Sequence, residues 1–182
     1  MKTSKKKYNI LNDCRGLFED EVFEIIMQER GIDDPEHFLN PTEDDLLPLD
    51  DLKNIDKAYR LVMSAVNEDK RIAVHFDTDT DGITSGAVMT RYLKNMTENP
   101  VDVYINRGKQ HGLANQDIAK FYGYDLLIVV DSLDKDETQY KDLKETGVDV
   151  IVLDHHAIDP DVPYDNYCTL VSSQREYENP QL

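Results

Sequence analysis

Three short apolar runs that each close on an aspartate constrain this chain more than any other feature. They are RIAVHFD, ending at Asp77; DLLIVVD, ending at Asp131; and VDVIVLD, ending at Asp154. A fourth run, VDVYI, lies between the first two. The segments between the runs read as helices: TSGAVMTRYLKN, LANQDIAKFYG (stopped by Gly123) and KDETQYKDLKETG (ending at Gly147). Strands of nearly unbroken Val, Ile and Leu must be covered on both faces. Their alternation with helices predicts an α/β domain built on a parallel sheet, with helices on both sides. In open parallel sheets, ligands sit in the crevice beyond the carboxyl ends of the strands. Three strand-end aspartates far apart in sequence are therefore expected to meet in space.

Ahead of the alternating region, LFEDEVFEIIMQER (17–30) carries Phe18, Val22, Ile25 and Ile26 on one side and predicts an amphipathic helix. In GIDDPEHFLNP, Asp34 is placed to cap a short helix with Pro35 at its first position. NPTEDDLLPLDD reads as a loop. A second helix is predicted over about 51–67, with Ile55, Ala58, Tyr59, Val62, Met63 and Val66 at helical spacing. The expected organisation is a helical N-terminal region, 1–68, followed by the α/β domain, 69–182.

No apolar run approaches the ~18 residues of a membrane span, and the basic start MKTSKKKYNI has no apolar stretch behind it, so neither a membrane protein nor a secretory signal is expected. Two cysteines far apart, Cys14 and Cys168, fit a reducing, cytoplasmic setting better than a disulfide scaffold. The formal charge of −17 is unusual for a nucleic-acid binder, whose affinity rests largely on phosphate contacts. Two divalent ions would offset about four of those charges.

The first strand runs into D-T-D-T-D-G, with carboxylates at Asp77, Asp79 and Asp81 before Gly82. Three such groups at alternate positions repel one another, and a hard divalent cation resolves the conflict by taking several oxygens at once. The pattern also opens an EF-hand loop, but the twelfth position, where a bidentate Glu belongs, is Val88, and the preceding segment is strand-like. The last strand runs into Asp154-His155-His156. Neighbouring residues on a strand point to opposite sides, so the two histidines are expected to play different roles, one on metal and one toward substrate. A metal-bound imidazole needs a partner for its second nitrogen, commonly a carboxylate.

D-x-D-x-D-G-x-T-S after a strand, a later strand ending in VD, and then VIVLDHH resemble the first three motifs of the DHH phosphoesterase superfamily. RGIDDPEHFLNP, RIAVHFDTDTDGITSGAVM and INRGKQHGLANQDIAK extend the resemblance to the N-terminal part of RecJ-type single-strand-specific exonucleases, over about Arg30 to His156. The chain departs from the usual pattern at Phe76, at VVDSL and at HGLA, and it shows neither the family's fourth, Asp-containing motif nor its C-terminal DHHA1 domain. The resemblance therefore implies the metal-binding portion of such an enzyme.

It further implies two Mn2+ or Mg2+ ions that activate a water for attack on phosphorus. Asp77, Asp79, Asp81, Asp131 and His155 are the implied ligands, with Asp131 bridging the ions. Asp154 would support His155, and His156 would face the scissile phosphate as a catalytic group. His75 lies four residues before Asp79, where small-molecule relatives carry a metal-binding histidine, and is expected beside the metal site. Ser85, near the start of the following helix, is placed to meet phosphate. Arg107 and Lys109 are placed to meet the DNA backbone.

The implied activity is hydrolysis of single-stranded DNA from the 5′ end in DNA repair and recombination, with a helicase or single-strand-binding protein as partner. A phosphodiesterase acting on short oligonucleotides or cyclic dinucleotides is the alternative that the charge favours. A non-catalytic scaffold is the alternative that the lost fourth motif favours.

Overall fold

A computed structural model describes residues 19–46, 48–106, 108, 111–114 and 116–175. The chain divides into two compact units at the Leu47–Pro48 junction. The first contains helices α1 (Glu19–Glu29) and α2 (Pro35–Leu39). Asp34 caps α2 as its sequence suggests, accepting a hydrogen bond from the His37 N–H at 3.0 Å, with Pro35 opening the helix.

The second unit is the α/β domain. Its elements are α3 (Ile55–Asn67), β1 (Ile72–Phe76), α4 (Thr80–Met96), β2 (Val101–Ile105), β3 (Leu126–Val130), α5 (Thr138–Glu145), β4 (Asp149–Asp154) and β5 (Thr169–Ser172). Helix α3, grouped with the N-terminal region on sequence grounds, lies in this second unit and packs on its sheet.

All strand pairings are parallel, in the order β2-β1-β3-β4-β5. Alternation splits β1, β3, β4 and β5 between two cores. Ile72, Val74, Phe76, Ile128, Val130 and Ile151 pack with Ala58, Ala65, Val66 and Leu93 of α3 and α4. Leu127, Val129, Val150, Val152 and Leu170 pack with Phe121, Tyr140 and Leu143 on the other face. Each such side chain contributes about 1.5–3 kcal/mol by leaving water.

The structure differs from the sequence reading at three elements. LANQDIAKFYG forms only a single 3-10 turn, Ile118–Phe121, because the backbone N–H groups of Leu113 and Ala114 are drawn to the Asp134 carboxylate at 2.8 and 2.9 Å. Helix α4 starts at Thr80, four residues before the expected TSGAVMTRYLKN segment. Strand β5 has no counterpart in the sequence reading, since TLVS is too short to show a period and is held by pairing with β4.

The order places a topological switch point between β1 and β3. From β1 the chain passes through α4 to β2 on one side, and from β3 it passes through α5 to β4 on the other. The two connections lie on opposite faces and leave a crevice at the carboxyl ends of β1 and β3.

Candidate metal centre

Phe76 and Val130 are register partners, so the next residues, Asp77 and Asp131, stand side by side at the crevice. Asp131 still belongs to the ladder through its N–H, which donates to Leu153 O at 2.9 Å. It then takes a left-handed conformation, φ 54°, which costs a non-glycine residue on the order of 1 kcal/mol or more. That strain coincides with a buried carboxylate, since Asp131 is 5% exposed and Asp77 3%.

The early start of α4 has a local cause. Asp79 is its N-cap, accepting from the Gly82 N–H at 3.0 Å, and that bond is the main reason its carboxyl lies below the usual range. Asp81 therefore sits in the first turn and Ser85 in the second, where its hydroxyl donates to Gly82 O at 3.2 Å. Ser85 is thus bonded within the helix rather than at its free N–H groups, though it lines a groove shared with Asp81, Asp131 and His155. A Cβ at Gly82 would run into the Asp77 carboxylate, and one at Gly86 into the Phe76 ring. Glycine at these two positions lets α4 lie close against the end of β1.

The expectation that the two histidines point to opposite sides is corrected: both lie beyond the end of β4, with ring centroids 4.9 Å apart, and both face Asp131. His155 Nε2 lies 3.1 Å from Asp131 Oδ1 and 3.5 Å from Asp81 Oδ2. His156 Nδ1 is 3.0 Å from Asp154 Oδ1 and 3.7 Å from Asp131 Oδ1. The expectation that Asp154 supports His155 is corrected. Its Oδ1 takes both the backbone N–H and the ring Nδ1 of His156, and its Oδ2 accepts from the Leu133 N–H at 2.8 Å. His155, the immediate neighbour, instead has its Nε2 directed at Asp131. Burial pushes the His156 pKa down, but the Asp154 charge and hydrogen bond and the Asp131 charge outweigh it, and the net shift is upward.

A third histidine enters that sequence reasoning did not single out. His111 Nδ1 is 2.5 Å from Asp77 Oδ2, and its ring centroid is 5.4 Å from that of His156. Its loop is fastened to the turn after β3: Ser132 Oγ accepts from the Gly112 N–H at 2.8 Å, and Asp134 takes Leu113 and Ala114. Gly112 has φ +71°, and a Cβ there would strike the Asp134 carboxylate. The available signal was a His-Gly pair in the loop after a strand end, within the HGLA segment.

His75 is fully buried in β1, with Nε2 3.2 Å from Asn106 Oδ1 and its ring edge-on to Phe121. Burial, and then the Lys120 charge, push its pKa down to about 4. It belongs to neither group of clustered ligand atoms described next. Arg107 and Lys109 lie outside the described residues.

Two sets of ligand atoms converge within 4.8 Å: Asp77, Asp79 and Asp131, and Asp131, His155 and His156. Asp131 is common to both. Asp77 Oδ1 and both Asp131 oxygens are buried and accept no hydrogen bond among the described residues. His155 approaches Asp131 closely, but not with hydrogen-bond geometry. Burial first, and then the Asp79 charge, push Asp77 up to about 6. Burial, followed by the Asp81 and Asp154 charges, raises Asp131. Buried carboxylates without donors are costly, and a cation offers the compensation that the protein itself withholds. Hard oxygens beside imidazole nitrogens suit Mn2+ or Mg2+ on the acidic side and a borderline ion on the histidine side.

A parallel sheet whose switch-point crevice holds paired carboxylates and histidines defines an α/β domain with a candidate metal centre. The profile described as "DHH family, N-terminal domain" matches residues 71–177, and the chain belongs to that family. It is 31% identical over 151 residues to a putative SPbeta prophage-derived single-strand DNA-specific exonuclease, YorK, of Bacillus subtilis, a match covering 82% of this chain and 26% of that protein. It is 30% identical over 145 residues to the single-stranded-DNA-specific exonuclease RecJ of Bacillus subtilis, covering 76% of this chain and 18% of that one.

Among solved structures, exonuclease RecJ bound to manganese superposes with a TM-score of 0.63 at 29% identity, covering 73% of this chain and 34% of that one. RecJ in complex with Mn2+ from Thermus thermophilus superposes with a TM-score of 0.61 at 29% identity, covering 81% and 20%. The chain thus spans about a quarter or less of the length of these curated relatives. No helix among the described residues is long and apolar enough to cross a membrane.

Proposed function

We propose that this chain is the metal-binding part of a RecJ-like nuclease that hydrolyses single-stranded DNA from the 5′ end. The observation that carries the proposal is the shared carboxylate. Asp131 is buried, strained and without hydrogen-bond donors among the described residues, and it is shared by an all-carboxylate set and a set with two histidines. Relatives that align with most of the chain are named for single-strand DNA exonuclease activity, and two aligned structures contain manganese.

Asp77, Asp79 and Asp131 would hold one divalent ion, and Asp131 with His155 a second, with Asp81 within reach of His155. Such ions supply a more acidic water and positive charge opposite the phosphoryl oxygens. The protein's own contribution is placement. Asp154 holds the His156 ring by Nδ1, which leaves Nε2 for the phosphoryl group or the departing oxygen, and the raised pKa favours the protonated, donating form. Ser85, Arg107 and Lys109 are proposed contacts to the DNA backbone. A helicase or single-strand-binding protein is the proposed partner. The net charge of −17 favours a second reading, in which the substrate is a short oligonucleotide that needs few backbone contacts.

Calorimetric titration with Mn2+ and cleavage of a 5′-labelled single strand, on wild type and Asp131→Ala, test the proposal together. Binding and cleavage in wild type, both lost in the variant, are expected. Binding without cleavage would remove the nuclease reading for this chain by itself. Absence of binding in wild type would remove the metal centre.

A further inference from the structure

A cleft of about 750 Å³ opens directly from the metal centre, with His111 and His156 forming its inner wall. Its size falls in the range of sites that enclose a small organic ligand. We propose that this cleft seats the base of a nucleotide flanking the scissile phosphate. The proposal rests on the phosphodiesterase reading above.

Three features of the cleft point to a base rather than to a further stretch of phosphate backbone. Leu133, Ala114 and Ala157 line it with small or apolar surface against which a flat ring can lie. Gln139, at the start of α5, also lines it, and its Oε1 is buried and accepts no hydrogen bond among the described residues. A carboxamide presents a donor and an acceptor side by side, the pattern that matches a base edge. Asp136 and Asp159 add two carboxylates to the lining, against the single ammonium of Lys135. Asp136 is kept ionised by the side-chain hydroxyl and backbone N–H of Thr138, the latter 2.9 Å from its Oδ1.

The excess of carboxylates over Lys135 disfavours a second phosphate, and their oxygens accept from an exocyclic amino group. Phosphate at the centre and an amino-bearing base in the cleft divide the site by charge. An overall acidic chain then recognises a nucleotide through its base rather than through its backbone.

The test compares Gln139→Ala and Ala157→Trp with wild type on two substrates, the dinucleotide pApA and its abasic analogue, in which hydrogen replaces both bases. The expected result is a KM for pApA raised about five-fold or more in both variants, with hydrolysis of the abasic analogue unchanged. An unchanged KM for pApA, or equal losses on both substrates, overturns the proposal.

Saturation-transfer NMR with AMP in the absence of metal separates this proposal from the enzymatic reading. AMP contacts present in wild type and absent in Ala157→Trp support the cleft even if neither substrate is cleaved. Absence of contacts in wild type, or equal contacts in the variant, overturns it.

Discussion

Aspartates stand at both ends of the same sheet, and the two ends treat them differently. At the amino ends, Asp125 precedes β3, and its carboxylate accepts the Arg71 N–H at 2.8 Å; the Arg71 guanidinium reaches Gly123 O and lies over the Tyr124 ring. Every polar group named there has a partner, and the arrangement serves to close a turn. At the carboxyl ends, Asp77 Oδ1 and both Asp131 oxygens are buried and accept nothing among the described residues, Asp77 being paired only through Oδ2 with His111, and Asp131 adopts a strained backbone. Identical chemistry is thus satisfied at one end and left open at the other. Function is located by the polar groups the fold declines to satisfy.

The largest expected break in this contrast comes from Asp131→Asn. Asparagine tolerates the left-handed backbone and removes the buried charge. Mn2+ affinity should fall by about 100-fold or more, while stability in the absence of metal rises by about 1 kcal/mol. Calorimetry and thermal melts in EDTA read the two effects. A lower melting temperature for the metal-free variant would show that the carboxylate stabilises the fold rather than burdening it.

Asp134 sharpens the comparison, because it lies beside the open end yet is satisfied. Burial is the largest influence and pushes its pKa up to about 6, against the pull of the Leu113 N–H, the Tyr140 hydroxyl and the Ala114 N–H. A carboxyl raised from 3.8 stabilises the fold fully below about pH 3.8, and that contribution is lost as pH rises through about 6. The loss amounts to about 3 kcal/mol. Urea denaturation of wild type and Asp134→Asn should therefore show the variant gaining relative stability by about that amount between pH 4 and pH 7. A difference that stays flat with pH would mean that the backbone donors outweigh burial.

The smallest effect belongs to the satisfied end. Asp125→Ala removes one hydrogen bond and should cost about 1 kcal/mol of stability, with Mn2+ affinity unchanged. A loss of metal affinity in this variant would mean that the two ends are coupled through β3, and the contrast between them would fail.

Much of the molecule is legible in the chain itself. Strands saturated with Val, Ile and Leu can exist only between two covering layers, so the parallel α/β architecture follows from period and composition. Strand-end aspartates and a histidine pair foretell a crevice lined by carboxylates and imidazoles. Asp77, Asp79, Asp131, His155 and His156 are all within the two ligand groups that the structure brings together.

Other features are decided only by contacts between segments distant in sequence. Strand β5 exists because β4 offers it an open ladder. The segment after Gly112 is a loop because Asp134, some twenty residues on, takes its N–H groups. Asp154 bonds His156, two residues on, rather than His155. His111 enters the centre only through a loop fastened to the turn after β3. Local sequence determines which face a side chain takes, since that depends on period alone. Which carboxylate finds a donor and which is left for a cation depends on partners 20 to 80 residues away, and only the packed sheet brings them within a few ångströms.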